Sequence, residues 1–164
     1  MLDYGHMVLL KAMCPVWFKE SILSKEVKER PFSQSITRLR DAGLRPTKQR
    51  LALAKLLFNG ADRHVTAEML HEEAEASGAN VSLATVYNTL HQFTDAALLR
   101  EVVVGAGRTY FDTNISDHHH FYHEADARLE DIPLDQVNIS KLPEAPKHKK
   151  FSRVEVVIHV SDAQ

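Results

Sequence analysis

The run DTNISDHHHFYHEADARLED, residues 112–131, places four of the chain's ten histidines (His118, His119, His120 and His123) within six positions. Imidazole nitrogens at that density, flanked by carboxylates, have the composition of a metal-binding tract. Histidine also serves as an axial ligand of haem iron. An affinity tag is excluded by position, since the run lies inside the chain between two patterned segments. On a strand, His118 and His120 project from one face and His119 from the other. A nitrogen and oxygen donor set suits Fe²⁺, Mn²⁺ or Zn²⁺ and lacks the thiolate softness that selects Cu(I). Isolated histidines such as His6, His71 and His148 read as solvated or hydrogen-bonded side chains.

The single cysteine, Cys14, leaves no internal disulfide and no thiolate-caged zinc within one chain. No apolar run reaches the ~18 residues of a membrane span. The apolar N-terminal stretch MVLLKAMC has neither the leading base nor the cleavage site of a signal peptide, so the expected location is the cytoplasm. With 164 residues, 44% hydrophobic and 26% charged, there is room for one domain or two small ones. The net charge of −2 conceals a split. Six bases (Arg38, Arg40, Arg45, Lys48, Arg50, Lys55) stand against Asp41 early on, whereas residues 112–135 hold seven acids against Arg128. That asymmetry points to a polyanion for the first half and cations for the second.

The elements that must carry these groups are legible in part. Residues 1–34 lack sustained periodicity and read as an extension, expected to be disordered. From Ser35 a short helix runs to Gly43, a glycine suited to a left-handed helix end. RPTKQRLALAKLLFNG follows as a helix with Pro46 in its first turn and Leu53, Leu56 and Leu57 inward. A third helix, capped by Thr66, turns Met69, Leu70 and Ala74 inward. A fourth opens at Ser82, with Leu83, Val86, Leu90 and Phe93 on one stripe. Its opposite face (Ala84, Thr85, Asn88, His91, Gln92) is small, polar and uncharged, which suits a groove rather than open solvent. LLREVVVGAGRTYFDT reads as a hairpin.

Three helices and a hairpin make a winged helix-turn-helix over residues 35–112, whose last helix reads the major groove. Residues 113–164 read as a small α/β dimerisation and sensing domain, giving an α+β chain. Its strands are HHHFYH, the segment after the turn, and RVEVVIHV, with Val154, Val156, Ile158 and Val160 on one face. So small a sheet requires a second copy to bury its surface. A two-fold dimer also matches a palindromic operator in double-stranded DNA.

The stretches GLRPTKQRLALAKLLF and HVTAEMLHEEAEASGANVSLATVYNTLHQFTDAALL resemble the DNA-binding half of the ferric uptake regulator (Fur) family. The resemblance runs from about residue 37 to the C-terminus. The triple histidine and the lack of the family's usual Cys-x-x-Cys pair are most like its iron response regulator (Irr) branch. His123 and Asp126 stand where that cysteine pair would be. The resemblance implies a divalent metal site at His64, Asp112, His118, His120 and Asp131. It implies DNA contacts from Lys48, Arg50, Thr85, Tyr87 and Asn88. It further implies haem binding by His118, His119 and His120, and by Cys14 in the dipeptide Cys14-Pro15.

The expected function is therefore a homodimeric DNA-binding repressor of iron- and haem-related genes, active under low iron and inactivated by haem. A haem-delivering enzyme is an expected further partner, and no membrane is. A zinc, manganese, iron or peroxide sensor of the same family is the alternative. A mononuclear His/Asp metalloenzyme is the rival of another class, but no recognisable base or nucleophile motif accompanies the histidines.

Overall fold

The computed structural model describes residues 33–162 apart from Ala106. The N-terminal extension, Cys14 included, lies outside the described residues. Helix α1, Ser33–Asp41, starts two residues earlier than the periodicity suggests. Gly43, at φ +74°, ends it in the left-handed conformation a side chain would resist. Helix α2, Lys48–Phe58, begins after Pro46, not around it. Thr47 is the N-cap, its hydroxyl accepting from the Arg50 amide at 3.3 Å. Strand β1 is only His64–Val65 and leads through the Thr66 cap into α3, Ala67–Ala76. Ser82 caps α4, Leu83–Asp95.

Two expected core positions lie at the surface instead: Met69 is 43% exposed and Leu83 36%. The buried stripe of α4 is Val86, Thr89, Leu90 and Phe93, a run at i, i+3, i+4 and i+7. Leu83, in the first turn, lies beyond the end of that stripe. On α3 the inward residues are Ala67, Leu70 and Ala74, which leaves Met69 turned aside. These side chains join Leu39, Leu53, Ala54, Leu57, Val65, Leu99 and Phe111 in one core.

Two three-stranded sheets follow. In the first, β3 (Arg108–Asp112) lies between β1 and β2 (Arg100–Val104), antiparallel to both. In the second, β4 (His118–His123) lies between β5 (Arg128–Pro133), antiparallel, and β6 (Val157–Val160), parallel. Between β5 and β6 the chain forms one short 3₁₀ turn, Leu134–Gln136, and no α-helix. Strand β6 is shorter than RVEVVIHV suggests. Its inward residue is Val157, against the small core, while Ile158 is 36% exposed. The expected apolar face of Val154, Val156, Ile158 and Val160 is thus only partly covered within one chain.

The β2–β3 hairpin is not a free wing. Val102, Val104 and Tyr110 pack with Leu129 of β5, Tyr122 of β4 and Val157 of β6. The Tyr110 hydroxyl donates to the Ala127 carbonyl. The described residues accordingly cluster as one compact unit. Phe93 is fully buried at the centre of the helical core, its ring centroid 6.0 Å from that of Phe58. Phe93→Ala should destabilise the protein by about 3–5 kcal/mol, through lost burial plus a cavity. Leu83→Ala should cost clearly less, about 1–2 kcal/mol, because Leu83 stays 36% exposed and its removal opens no closed cavity. Urea titration of the two variants beside the wild type checks the contrast.

Candidate metal centre and DNA-facing surface

Register explains why histidines and carboxylates meet. His64 of β1 is the direct antiparallel partner of Asp112 on β3, and His120 of β4 is the direct partner of Asp131 on β5. Directly opposed residues share a face of their sheet. His118, two residues from His120, adds to the second pair. One cross-strand pair from each sheet, plus His118, therefore converges. One ligand atom from each of the five residues lies within 4.8 Å of every other.

The inward atoms are the three Nε2 nitrogens and one oxygen of each carboxylate. Asp112 Oδ2 is 2.9 Å from His118 Nε2, 3.6 Å from His120 Nε2 and 3.7 Å from His64 Nε2. Asp131 Oδ1 is 2.9 Å from His64 Nε2 and 3.7 Å from His118 Nε2. His118 Nε2 and His120 Nε2 are themselves 2.9 Å apart. His120 and Asp112 are fully buried, and Asp131, with 35% of its side chain exposed, is the most open of the five.

The outer atoms of these groups are held from behind. His118 Nδ1 lies 2.8 Å from the Ser116 carbonyl, an acceptor for an Nδ1–H, and that tautomer would leave Nε2 free to bind an ion. His120 Nδ1 is in ion-pair contact with Glu155 Oε1 at 3.1 Å, and Arg153 in turn pairs with Glu155. The buried guanidinium of Arg100 also donates to the Ser116 carbonyl and sits 3.3 Å from His118 Nδ1. Electrostatics follow from this crowding. Burial lowers the His64 pKa, outweighing the attraction of Asp112 and Asp131. Burial also pulls His120 down, but Asp112 and Glu155 together raise it to about 9. Burial would raise Asp112, yet its hydrogen bonds and the neighbouring imidazoles hold it below the usual carboxylate range.

The donors present fit a divalent ion. His64 Nε2 and Asp112 Oδ2 are buried and have no aligned hydrogen-bond partner, although each lies close to several other donors. Polar atoms buried in that manner are costly unless a shared charge satisfies them. Three imidazoles and two carboxylates suit Fe²⁺, Mn²⁺ or Zn²⁺. Haem finds less here. His118 and His120 turn both ring nitrogens to other groups. His119 does face the other way, but it is only 2% exposed, and its Nδ1 accepts from the Val156 amide at 3.3 Å. His118, His119 and His120 are all buried, so β4 is covered on both faces there, which alternation alone does not reveal. His123 pairs with Glu130 at 3.0 Å, and Asp126 is not in the five-residue cluster.

The surface expected to face DNA is built on α2 and α4. Thr47, Arg50, Thr85, Asn88 and Gln92 line one shallow cavity there. Asn88 and Lys48 are exposed. Arg50 is not a free base: it donates to Gln92 Oε1 at 3.1 and 2.7 Å and to the Arg45 carbonyl at 2.8 Å. It thereby ties α2 to α4. Thr85 shares its hydroxyl with the Ser82 cap at 2.9 Å. The exposed Tyr87 donates to the Glu68 carboxylate at 2.6 Å, which lowers the Glu68 pKa and raises that of Tyr87.

The family model described as the ferric uptake regulator family matches residues 41–161. The chain belongs to the ferric uptake regulator family. The peroxide-responsive repressor PerR of Staphylococcus aureus is 33% identical over 110 residues, which span 67% of this chain and 74% of that protein. The ferric uptake regulator of Vibrio cholerae superposes with a TM-score of 0.61 at 20% identity, over 78% of this chain and 99% of that one. The Pseudomonas aeruginosa regulator, solved with manganese, gives 0.59 at 21%, over 78% and 97%. These structures show a Fur-like α+β fold. The family consists of transcription regulators, not enzymes, and its members bind DNA as dimers. No helix among the described residues is long and apolar enough to cross a membrane.

The contributors that the sequence reading of this Fur-family chain missed include Asn114, Ser116, Arg100, Glu155 and the Arg50–Gln92 pair. Asn114 and Ser116 carry a local signal, since both residue types favour side-chain turns after a strand. Glu155 carries none, because nothing local links it to His120, 35 residues earlier; Glu155 lies just before β6. Removing a ligand should cost more than the roughly 10–100-fold lost with an outer partner. Asp112→Ala is therefore expected to weaken Mn²⁺ and Zn²⁺ binding by at least about 100-fold. Asp117→Ala, an exposed acid beside the same histidines, should change it less than about twofold. Chelator competition on both variants separates a built site from a generally acidic, histidine-rich surface.

Proposed function

We propose that this chain is a homodimeric repressor whose affinity for operator DNA is set by a divalent ion at His64, Asp112, His118, His120 and Asp131. In this reading residues 35–112 contact DNA and residues 113–164 form the dimerisation and sensing part. One observation carries the proposal: the five donors come from both sheets. His64 immediately precedes α3 and the helical core, while His118, His120 and Asp131 lie on the second sheet. A divalent ion would supply, in place of protons, the positive charge that the two inward carboxylates and three inward nitrogens share. Holding His64 and Asp112 against β4 and β5 restrains the angle between α4 and the second sheet, and so the span between two recognition helices in a dimer. The effect on DNA requires unequal affinity of the ion for the two conformations.

A peroxide-responsive repressor is the second reading, favoured by the similarity to PerR. The finer reading, a repressor of iron- and haem-related genes active in low iron and inactivated by haem, rests on the resemblance of the triple histidine to the Irr branch. Burial of His119 weighs against a haem ligand on that strand. Cys14 lies outside the described residues, and nothing among the described residues supports a haem-delivering partner. The cytoplasm remains the expected location of a DNA-binding protein.

Operator affinity should rise by about 5–150-fold on adding Mn²⁺ to chelator-treated protein, the usual range of a coupling between two sites. His64→Ala should remove the dependence while leaving a folded dimer. Equal operator binding with and without metal in the wild type would overturn the reading. On the DNA side, Asn88→Ala should cost about 1–3 kcal/mol and relax base preference. Lys48→Ala should instead weaken all sequences alike and reduce the salt slope by about one. Fluorescence anisotropy against salt concentration distinguishes these two effects.

A further inference from the structure

We propose that Asn114 is a positioning residue that holds Asp131 in place as a fifth metal donor and so tilts the site toward ions needing five or more donors. The inference rests on the metal site proposed above and concerns its selectivity. Asn114 lies in the link between Asp112, the last residue of β3, and His118, the first of β4. Its backbone amide donates to Asp112 Oδ1 at 2.7 Å, and its side-chain amide donates to Asp131 Oδ2 at 2.8 Å. The oxygens left over, Asp112 Oδ2 and Asp131 Oδ1, are those that face the three imidazoles. One residue thus holds the outer oxygen of both acids, although the acids belong to different sheets.

The same side chain reaches a third ligand indirectly. Asn114 Oδ1 accepts from the Ser116 amide at 3.1 Å and from its hydroxyl at 2.6 Å. The Ser116 carbonyl in turn faces His118 Nδ1 at 2.8 Å. The link is anchored at its other end by Thr113, whose hydroxyl accepts from the Arg63 amide at 2.8 Å, next to His64. A loop-forming asparagine would need only its contacts to Ser116. The bond to Asp131 lies outside that turn and is directed at the one ligand with a substantially exposed side chain. Without it, Asp131 would be free to leave or to rotate.

Selectivity follows from donor number. Zn²⁺ is satisfied by four donors, which His64, His118, His120 and Asp112 supply. Mn²⁺ favours higher coordination and oxygen, so it depends more on a fifth donor held in place. Losing the Asn114 amide should therefore cost Mn²⁺ more than Zn²⁺.

The test uses the full chain with Mn²⁺ or Zn²⁺ alone as probe, in chelator competition, on wild type, Asn114→Ala and Asn114→Ser. Serine keeps an acceptor for the turn but cannot reach Asp131. Both variants are expected to bind Mn²⁺ about tenfold or more weakly, in the range seen for outer partners of metal ligands. Zn²⁺ binding should change less than about threefold, with the melting temperature of the metal-free protein unchanged in the serine variant. Parallel losses for both ions, or no loss for either, would overturn the role of Asn114 while leaving the site itself intact. A wild type that binds neither ion would overturn the site, and this inference with it.

Discussion

Two carboxylate oxygens and three imidazole nitrogens share a space in which several pairs approach to 2.9 Å. Carboxylates and imidazoles lose their water when brought inside a protein, so gathering them is costly unless protons or a cation supply a positive charge common to all. The neighbouring structure is organised around that demand. Asp112 is fully buried where β3 ends, His120 is fully buried in the middle strand of its sheet, and the outer atoms of four ligands are hydrogen-bonded or ion-paired. Such preorganisation would lower the cost of gathering the donors around an ion.

The path from the cluster to the surface expected to face DNA is short. From Asp112, one ladder step leads to His64, and Val65 and Thr66 then lead into α3. Helix α3 packs on α4, whose outward residues include Asn88 and Tyr87, and Arg50 braces α4 against α2. The β2–β3 hairpin adds a second connection, since its apolar face belongs to the core of the second sheet. In the proposed reading, a hairpin fastened in that way would pass the sheet's orientation on to α4. That coupling is what a sensor in the Fur family needs, because a dimer must present two helices at the spacing of its operator.

Much of this was determined by the sequence alone, wherever the deciding contacts are local. Thr47, Thr66 and Ser82 cap their helices because a hydroxyl needs only an amide three residues ahead. The stripe of Val86, Leu90 and Phe93 and the alternation of His118, His119 and His120 follow from the helical and strand periods. The five donors were named by family resemblance, and the two ladder registers bring them together.

Only the tertiary structure decided which atoms of those residues face one another and what stands behind them. It turned His119 into a buried side chain, exposed Met69 and Leu83, ran β6 parallel to β4, and set Glu155 against His120. It also placed the Asn114 amide between carboxylates of two sheets. Periodicity and capping depend on residues a few positions apart, whereas these features depend on where separate strands meet. The chain carries that information only as the sum of its packing, because the face a strand buries is settled by the surface laid against it.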